Sequence, residues 1–125
     1  MIFGVGTDII AVARLGALYE RHGERALEKL LAPAERARFD SAKEPARFLA
    51  KRFAAKEALG KALGIGVAVP ATLPNIAVMN DALGKPFFEY SSDLADYLAD
   101  RQLTAHLSIS DEREFALAFV VLERS

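Results

Sequence analysis

The stretch that most constrains this chain runs from Pro45 to Leu63, PARFLAKRFAAKEALGKAL, and is followed by Gly64. Ala, Leu, Lys and Glu are strong helix formers. Pro45 suits a first-turn position with Glu44 just before it, and Gly64 suits the left-handed conformation that ends a helix. The spacing predicts a helix from near Pro45 to near Leu63. Projected at 100° per residue, Phe48, Leu49, Phe53, Leu59 and Leu63 share one arc, expected to face the core. Arg52 and Lys56 fall inside that arc, Glu57 lies at its edge, and Lys61 is one turn beyond Glu57. Buried charges are costly unless paired. These charges therefore need partners, or they line a polar cavity or a subunit boundary. Two cations and a carboxylate beside a cavity suit a phosphate and a metal ion. A plainer reading stands beside this one: Glu57 and Lys61 form a surface i,i+4 pair, while Arg52 and Lys56 keep their stems buried and their heads in water.

The rest of the composition narrows the class. A length of 125 residues fits one domain, 1–125, and 52% hydrophobic residues exclude disorder. A net charge of −1 gives no global field for nucleic acid, so any anion site must be a local cluster. The absence of cysteine excludes disulfides and cysteine metal sites. The apolar runs are too short to span a bilayer, and Met1-Ile2-Phe3-Gly4 lacks a basic signal-peptide region. A soluble cytoplasmic protein with no membrane contact is the expectation.

Taken in order, Ile2 to Ile10 reads as a strand, with Phe3, Val5, Thr7 and Ile9 on one face. Ile2, Gly4, Gly6, Asp8 and Ile10 lie on the other, where the glycines admit close approach of a ligand or backbone. Asp8, a carboxylate in a hydrophobic strand, calls for an ion pair, a capping role or a metal. Val12 to about His22 reads as a helix carrying Arg14 and Arg21, on its own an ordinary solvated face. Ala26 to Leu31 is a helical turn, Ala34 to about Phe39 a short helix started by Pro33, and Ser41 to Glu44 a connector. Beyond the long helix, Ile76 to Met79 and Phe87 to Tyr90 form a hairpin around Asn80–Lys85, and a helix opens at Ser92 and runs to about Arg101. Thr104 to Ser110 alternates, with Leu107 and Ile109 on one face and Thr104, His106, Ser108 and Ser110 on the other. His106 beside hydroxyls suits a structural role or a phosphate or ribose contact. Phe115 to Leu122 reads as a strand buried on both faces. The fold class is α+β.

Three stretches align with one family: Gly4-Val5-Gly6-Thr7-Asp8-Ile9, Arg52-Phe53-Ala54-Ala55-Lys56-Glu57-Ala58-x-x-Lys61-Ala62-x-Gly64, and His106-Leu107-Ser108-Ile109-Ser110. On these motifs the chain resembles the small bacterial holo-acyl-carrier-protein synthases of the 4′-phosphopantetheinyl transferase superfamily. The resemblance implies that family's fold, an antiparallel sheet wrapped around a long helix, assembled as a homotrimer with active sites at the subunit boundaries. It implies transfer of the phosphopantetheine arm of coenzyme A to a serine of apo-acyl carrier protein, releasing adenosine 3′,5′-bisphosphate and supplying fatty-acid synthesis. Asp8 and Glu57 match the family's magnesium ligands, and Lys61 the group that neutralises phosphate charge. Arg52 and His106 match contacts to the nucleotide end, at its 3′-phosphate, with Lys43 assisting from a connector less basic than the family's. Arg14 and Arg21 match the helix that docks the acidic carrier. Two alternatives belong to other classes: a transferase for specialised polyketide or peptide carriers, and a carrier-binding module without catalysis.

Overall fold

The computed structural model describes residues 1–125. Two glycines decide how its two principal elements meet. Strand β1 (Ile2–Ala11) lies directly on helix α4 (Pro45–Leu63). A Cβ at Gly4 would stand 2.0 Å from the Ala62 carbonyl oxygen, and one at Gly6 would stand 1.9 Å from that of Ala58. Only hydrogen fits at either position, so the close approach expected at these glycines is made by the helix backbone. On the helix side, Ala54, Ala55, Ala58 and Ala62 are buried, which keeps that surface small enough for the contact.

Strand β5 (Phe115–Arg124) pairs antiparallel with both β1 and β4 (Leu103–Asp111), giving a three-stranded sheet in the order β1-β5-β4. Ile10, Ala116, Ala118, Val120 and Leu122 on its inner face pack in the core with α4. A separate antiparallel hairpin joins β2 (Ile76–Asn80) to β3 (Pro86–Tyr90). Helix α1 (Val12–His22) packs on α4. Helices α2 (Glu24–Leu30) and α3 (Pro33–Asp40) follow it, and α5 (Ser92–Asp100) packs against β3 and β4. The α+β class and the element order match the sequence reading.

Two expectations are corrected. Helix α4 is not a one-sided amphipathic helix: Ala50, Ala54, Ala58 and Ala62 are as deeply buried as Leu49, Leu59 and Leu63, while Phe48 and Phe53 are only partly covered. It is the central helix, enclosed by the sheet, α1 and β2. Strand β5 is not buried on both faces within the chain. Ala116, Ala118, Val120 and Leu122 are buried, whereas Phe115, Leu117 and Phe119 stand 46%, 38% and 42% exposed. Phe3, Val5 and Ile9 of β1 extend the same apolar outer face.

Candidate active site

The glycine contact aligns Asp8 with the last turns of α4. Asp8 pairs in register with Ala118 and so projects from the inner, helix-facing side of the sheet. Lys61 reaches across and donates to the Thr7 carbonyl at 2.9 Å and to Asp8 Oδ1 at 3.2 Å. Asp8 Oδ2 is buried without any hydrogen-bond partner. Glu57 lies one turn before Lys61. Its pKa is raised, first by burial and then by the Asp8 carboxylate, against the opposing pull of Lys61 and Arg14. Asp8, Glu57, Lys61 and Arg14 therefore converge, although they come from a strand and two helices. Lys61 turns toward Asp8, so the plain surface pairing with Glu57 is not what the structure adopts.

Two neighbouring carboxylates, one with a buried and unpartnered oxygen, form a centre of concentrated negative charge that a divalent cation would relieve. The donor set fits magnesium, which takes one or two carboxylates and completes its octahedron with waters and substrate phosphates. No third acidic, histidine or cysteine side chain joins the two carboxylates.

Lys56 goes elsewhere. Its ammonium is completely buried and donates to Glu35 Oε1 at 2.6 Å, to the Leu30 carbonyl at 2.7 Å and to the Leu73 carbonyl at 3.1 Å. Burial pulls its pKa down while Glu35 pulls it up. Glu35 also accepts from the backbone N–H groups of Ala32 at 2.8 Å and Val78 at 2.9 Å. This ion pair ties α2, α3, α4 and β2 together. Neither the polar-cavity reading nor the snorkelling reading of Lys56 holds. Glu35 was missed from sequence, although its place two residues after Pro33 is a signal for an acid reaching back to cap a helix.

Arg52 is 7% exposed, with its guanidinium 3.6 Å above the Phe48 ring and its Nε 3.5 Å from Glu35 Oε2. His106 lies on the outer face of β4, paired with Glu123 at 2.9 Å. It lines a cleft of about 340 Å³ together with Lys85, Pro86, Ser108 and Phe119, of which Lys85 and Pro86 were not singled out in the sequence. Lys43 is exposed in the connector, and Arg14 and Arg21 are exposed on α1. The chain thus brings Asp8, Glu57, Lys61 and Arg14 together. It sets His106 on the opposite face of the sheet, at the far edge strand.

This geometry belongs to a class of group-transfer enzymes: the chain belongs to the 4′-phosphopantetheinyl transferase superfamily, whose family model matches residues 4–120. Within that class the similarity is to one kind of enzyme. The chain is 61% identical, over the full length of both proteins, to the holo-[acyl-carrier-protein] synthase of Dechloromonas aromatica (strain RCB). Its fold matches the crystal structure of holo-[acyl-carrier-protein] synthase from Neisseria meningitidis with a TM-score of 0.96 at 42% identity, covering 99% of this chain and 100% of that one. The Bacillus anthracis enzyme, solved in complex with CoA (3′,5′-ADP), matches with a TM-score of 0.85 at 38% identity, covering 100% of this chain and 99% of that one.

Proposed function

We infer that this chain transfers the 4′-phosphopantetheine group of coenzyme A to a serine of apo-acyl carrier protein and gives the holo carrier for fatty-acid synthesis. The serine oxygen bonds to the phosphorus bearing the pantetheine arm. The bond from that phosphorus to the bridging oxygen breaks, and adenosine 3′,5′-bisphosphate leaves. The observation that carries this reading is the unpartnered Oδ2 of Asp8 beside Glu57 and Lys61. That arrangement calls for a cation and offers a lysine to phosphate, and it argues against a binding module without catalysis.

Asp8 and Glu57 are the proposed magnesium ligands. When bound, the metal polarises the pyrophosphate and offsets charge on the leaving group. Lys61 holds Asp8 in place through its side chain and the Thr7 carbonyl, and gives its remaining charge to phosphate. Arg52, Lys43 and His106 serve the nucleotide end, with His106 in the cleft beside Lys85. Arg14 places a cation next to Glu57, and with Arg21 makes the α1 surface attractive to an acidic carrier.

The same reading includes a homotrimer. Asp8 faces inward and His106 outward on one sheet, which favours a coenzyme A that lies between two copies and meets Asp8 of one and His106 of the other. The exposed Phe3, Val5, Ile9, Phe115, Leu117 and Phe119 supply an apolar face of the kind that marks an interface. The 125 residues act as one domain, and the reaction is cytoplasmic; no helix is long and apolar enough to cross a membrane. The test is to incubate the protein with apo-carrier, coenzyme A and magnesium and measure the carrier mass. A gain of one phosphopantetheine is expected, and an unchanged mass overturns the reading.

A further inference from the structure

Lys56 and Lys61 of α4 pair with acids in different ways. Lys56 is sealed in: it and Glu35 are completely buried, and three acceptors hold its ammonium. Lys61 is not. Its side chain is 52% exposed, against 16% for Asp8, and its ammonium donates to the Thr7 carbonyl at 2.9 Å and to Asp8 Oδ1 at 3.2 Å. Asp8 is the fixed member of this pair, because its strand is pressed onto α4 at Gly4 and Gly6, where no Cβ fits. Lys61 is the movable member, a half-exposed ammonium on a flexible stem.

Neither helix electrostatics nor fold stability accounts for this contact. A place in the last turn of α4 favours any lysine, but not one that reaches across to a strand. An ion pair with a half-exposed partner adds little to stability. The contact does change what a metal would meet. The ammonium sits on Oδ1 of the carboxylate whose other oxygen, Oδ2, is buried and unpartnered. Glu57 lies one turn before Lys61 on the same helix. A divalent ion taken by Asp8 and Glu57 therefore shares the Asp8 carboxylate with a positive charge, and like charges repel strongly in a partly buried site. A phosphate reverses this, because it offers the exposed ammonium a charged partner of its own. The Thr7 carbonyl, the nearer acceptor, keeps the ammonium at the strand while the longer contact with Oδ1 is exchanged.

We propose that Lys61 is an exchangeable counter-cation that couples the metal to the donor: on Asp8 it weakens binding of a divalent ion, and the diphosphate of coenzyme A lifts that opposition by taking the ammonium. The proposal rests on the reading of Asp8 and Glu57 as magnesium ligands. Coupling is reciprocal, so coenzyme A tightens the metal by the factor by which the metal tightens coenzyme A. Direct contact between metal and phosphate supplies part of that factor. The part due to Lys61 disappears with its charge.

The experiment titrates Mn2+, which takes the same oxygen ligands as magnesium and is counted by its EPR signal, into wild type, Lys61→Met and Lys61→Arg. Each protein is measured alone and with saturating coenzyme A, without carrier, so that no transfer occurs. Alone, Lys61→Met should bind Mn2+ about fivefold more tightly than wild type or better, while Lys61→Arg, which keeps the charge, should stay near wild type. Coenzyme A should raise the Mn2+ affinity of wild type at least about fivefold more than it raises that of Lys61→Met. A thermal shift gives a second readout that a destabilised variant still yields: added magnesium should raise the Tm of Lys61→Met more than that of wild type, because tighter binding stabilises more. Mn2+ affinity of Lys61→Met alone equal to or below wild type, the same gain from coenzyme A in both, or a Lys61→Arg that tightens as Lys61→Met does, overturns the proposal. Mn2+ bound by none of the proteins, with or without coenzyme A, overturns the metal reading itself, so the two failures are distinguishable.

Discussion

Replacing Lys56 by methionine keeps the length and volume of a completely buried side chain and removes its charge. The structure fixes what is lost. The ammonium leaves Glu35 Oε1, the Leu30 carbonyl and the Leu73 carbonyl, which it held at 2.6, 2.7 and 3.1 Å. Glu35 keeps its two backbone donors and the 3.5 Å contact with Arg52, so its charge is only partly compensated. Removing one partner of a buried ion pair costs about 3–5 kcal/mol. Unfolding entropy of about 2.1 cal/mol/K per residue gives roughly 0.26 kcal/mol/K for 125 residues, so a loss of about 4 kcal/mol lowers Tm by about 15 °C. The double variant Lys56→Met, Glu35→Gln should lose clearly less than the sum of the two single variants, because neither member of the Lys56–Glu35 pair is left charged without the other, although Arg52 loses its acid wherever Glu35 is replaced. Calorimetry or denaturant unfolding of all four proteins measures this. Transfer by folded Lys56→Met at low temperature should stay within about threefold of wild type, because Lys56 is completely buried and its ammonium is spent on Glu35 and the Leu30 and Leu73 carbonyls. A Tm unchanged within 2–3 °C with transfer abolished would refute the argument and return Lys56 to the active site.

Charge reversal of Arg14 to Glu should raise KM for the carrier far more than KM for coenzyme A, with a gap that narrows as salt rises; equal effects on both substrates would remove α1 as the docking surface. Leu117→Glu or Phe119→Glu should convert a trimer into monomer in light scattering and abolish transfer, and wild-type protein that is monomeric at micromolar concentration would contradict the shared site. Glu57→Gln should stabilise the metal-free protein at neutral pH. The folded pKa of Glu57 is raised, so the penalty it imposes is absent below the ordinary glutamate pKa, grows as pH rises through the folded value, and is full above it. Unfolding curves of the two proteins should therefore converge in acid and separate toward neutral pH.

How much of this was legible in the sequence depended on the element. Helix α4 was found at its observed bounds because its signals are local: Pro45 at the start and Gly64 at the end, with φ 85° in the left-handed region. Asp8 and Glu57 could be marked as costly carboxylates, and the family resemblance proposed them as a metal pair. What was not legible is what depends on long-range neighbours. A helix enclosed on several sides shows no single arc, so periodicity left Lys56 to find a partner, line a cavity or snorkel, and could not point to that partner, Glu35, 21 residues earlier. Glu35 itself reads as an acid in the first turn of a short helix, a position that is normally solvated. Strand β5 reads as buried on both faces because Phe115, Leu117 and Phe119 are as apolar as a core, and one chain alone does not cover them. The cleft holding His106, Lys85 and Pro86 joins a strand to a hairpin in another sheet, a pairing that no local pattern encodes.

The central claim is that Asp8 and Glu57 hold a divalent ion that transfer requires. The direct measurement is the rate of carrier modification by the wild type, by EDTA-treated wild type with and without added magnesium, and by Asp8→Asn and Glu57→Gln. The amide variants keep the shape and lower the ligand charge. The account predicts that chelation abolishes transfer and magnesium restores it. It also predicts that each amide variant loses at least about two orders of magnitude, on the order of 3 kcal/mol of transition-state stabilisation, while remaining folded. Near wild-type rates in both variants, or transfer indifferent to EDTA, would contradict it and make the two carboxylates structural.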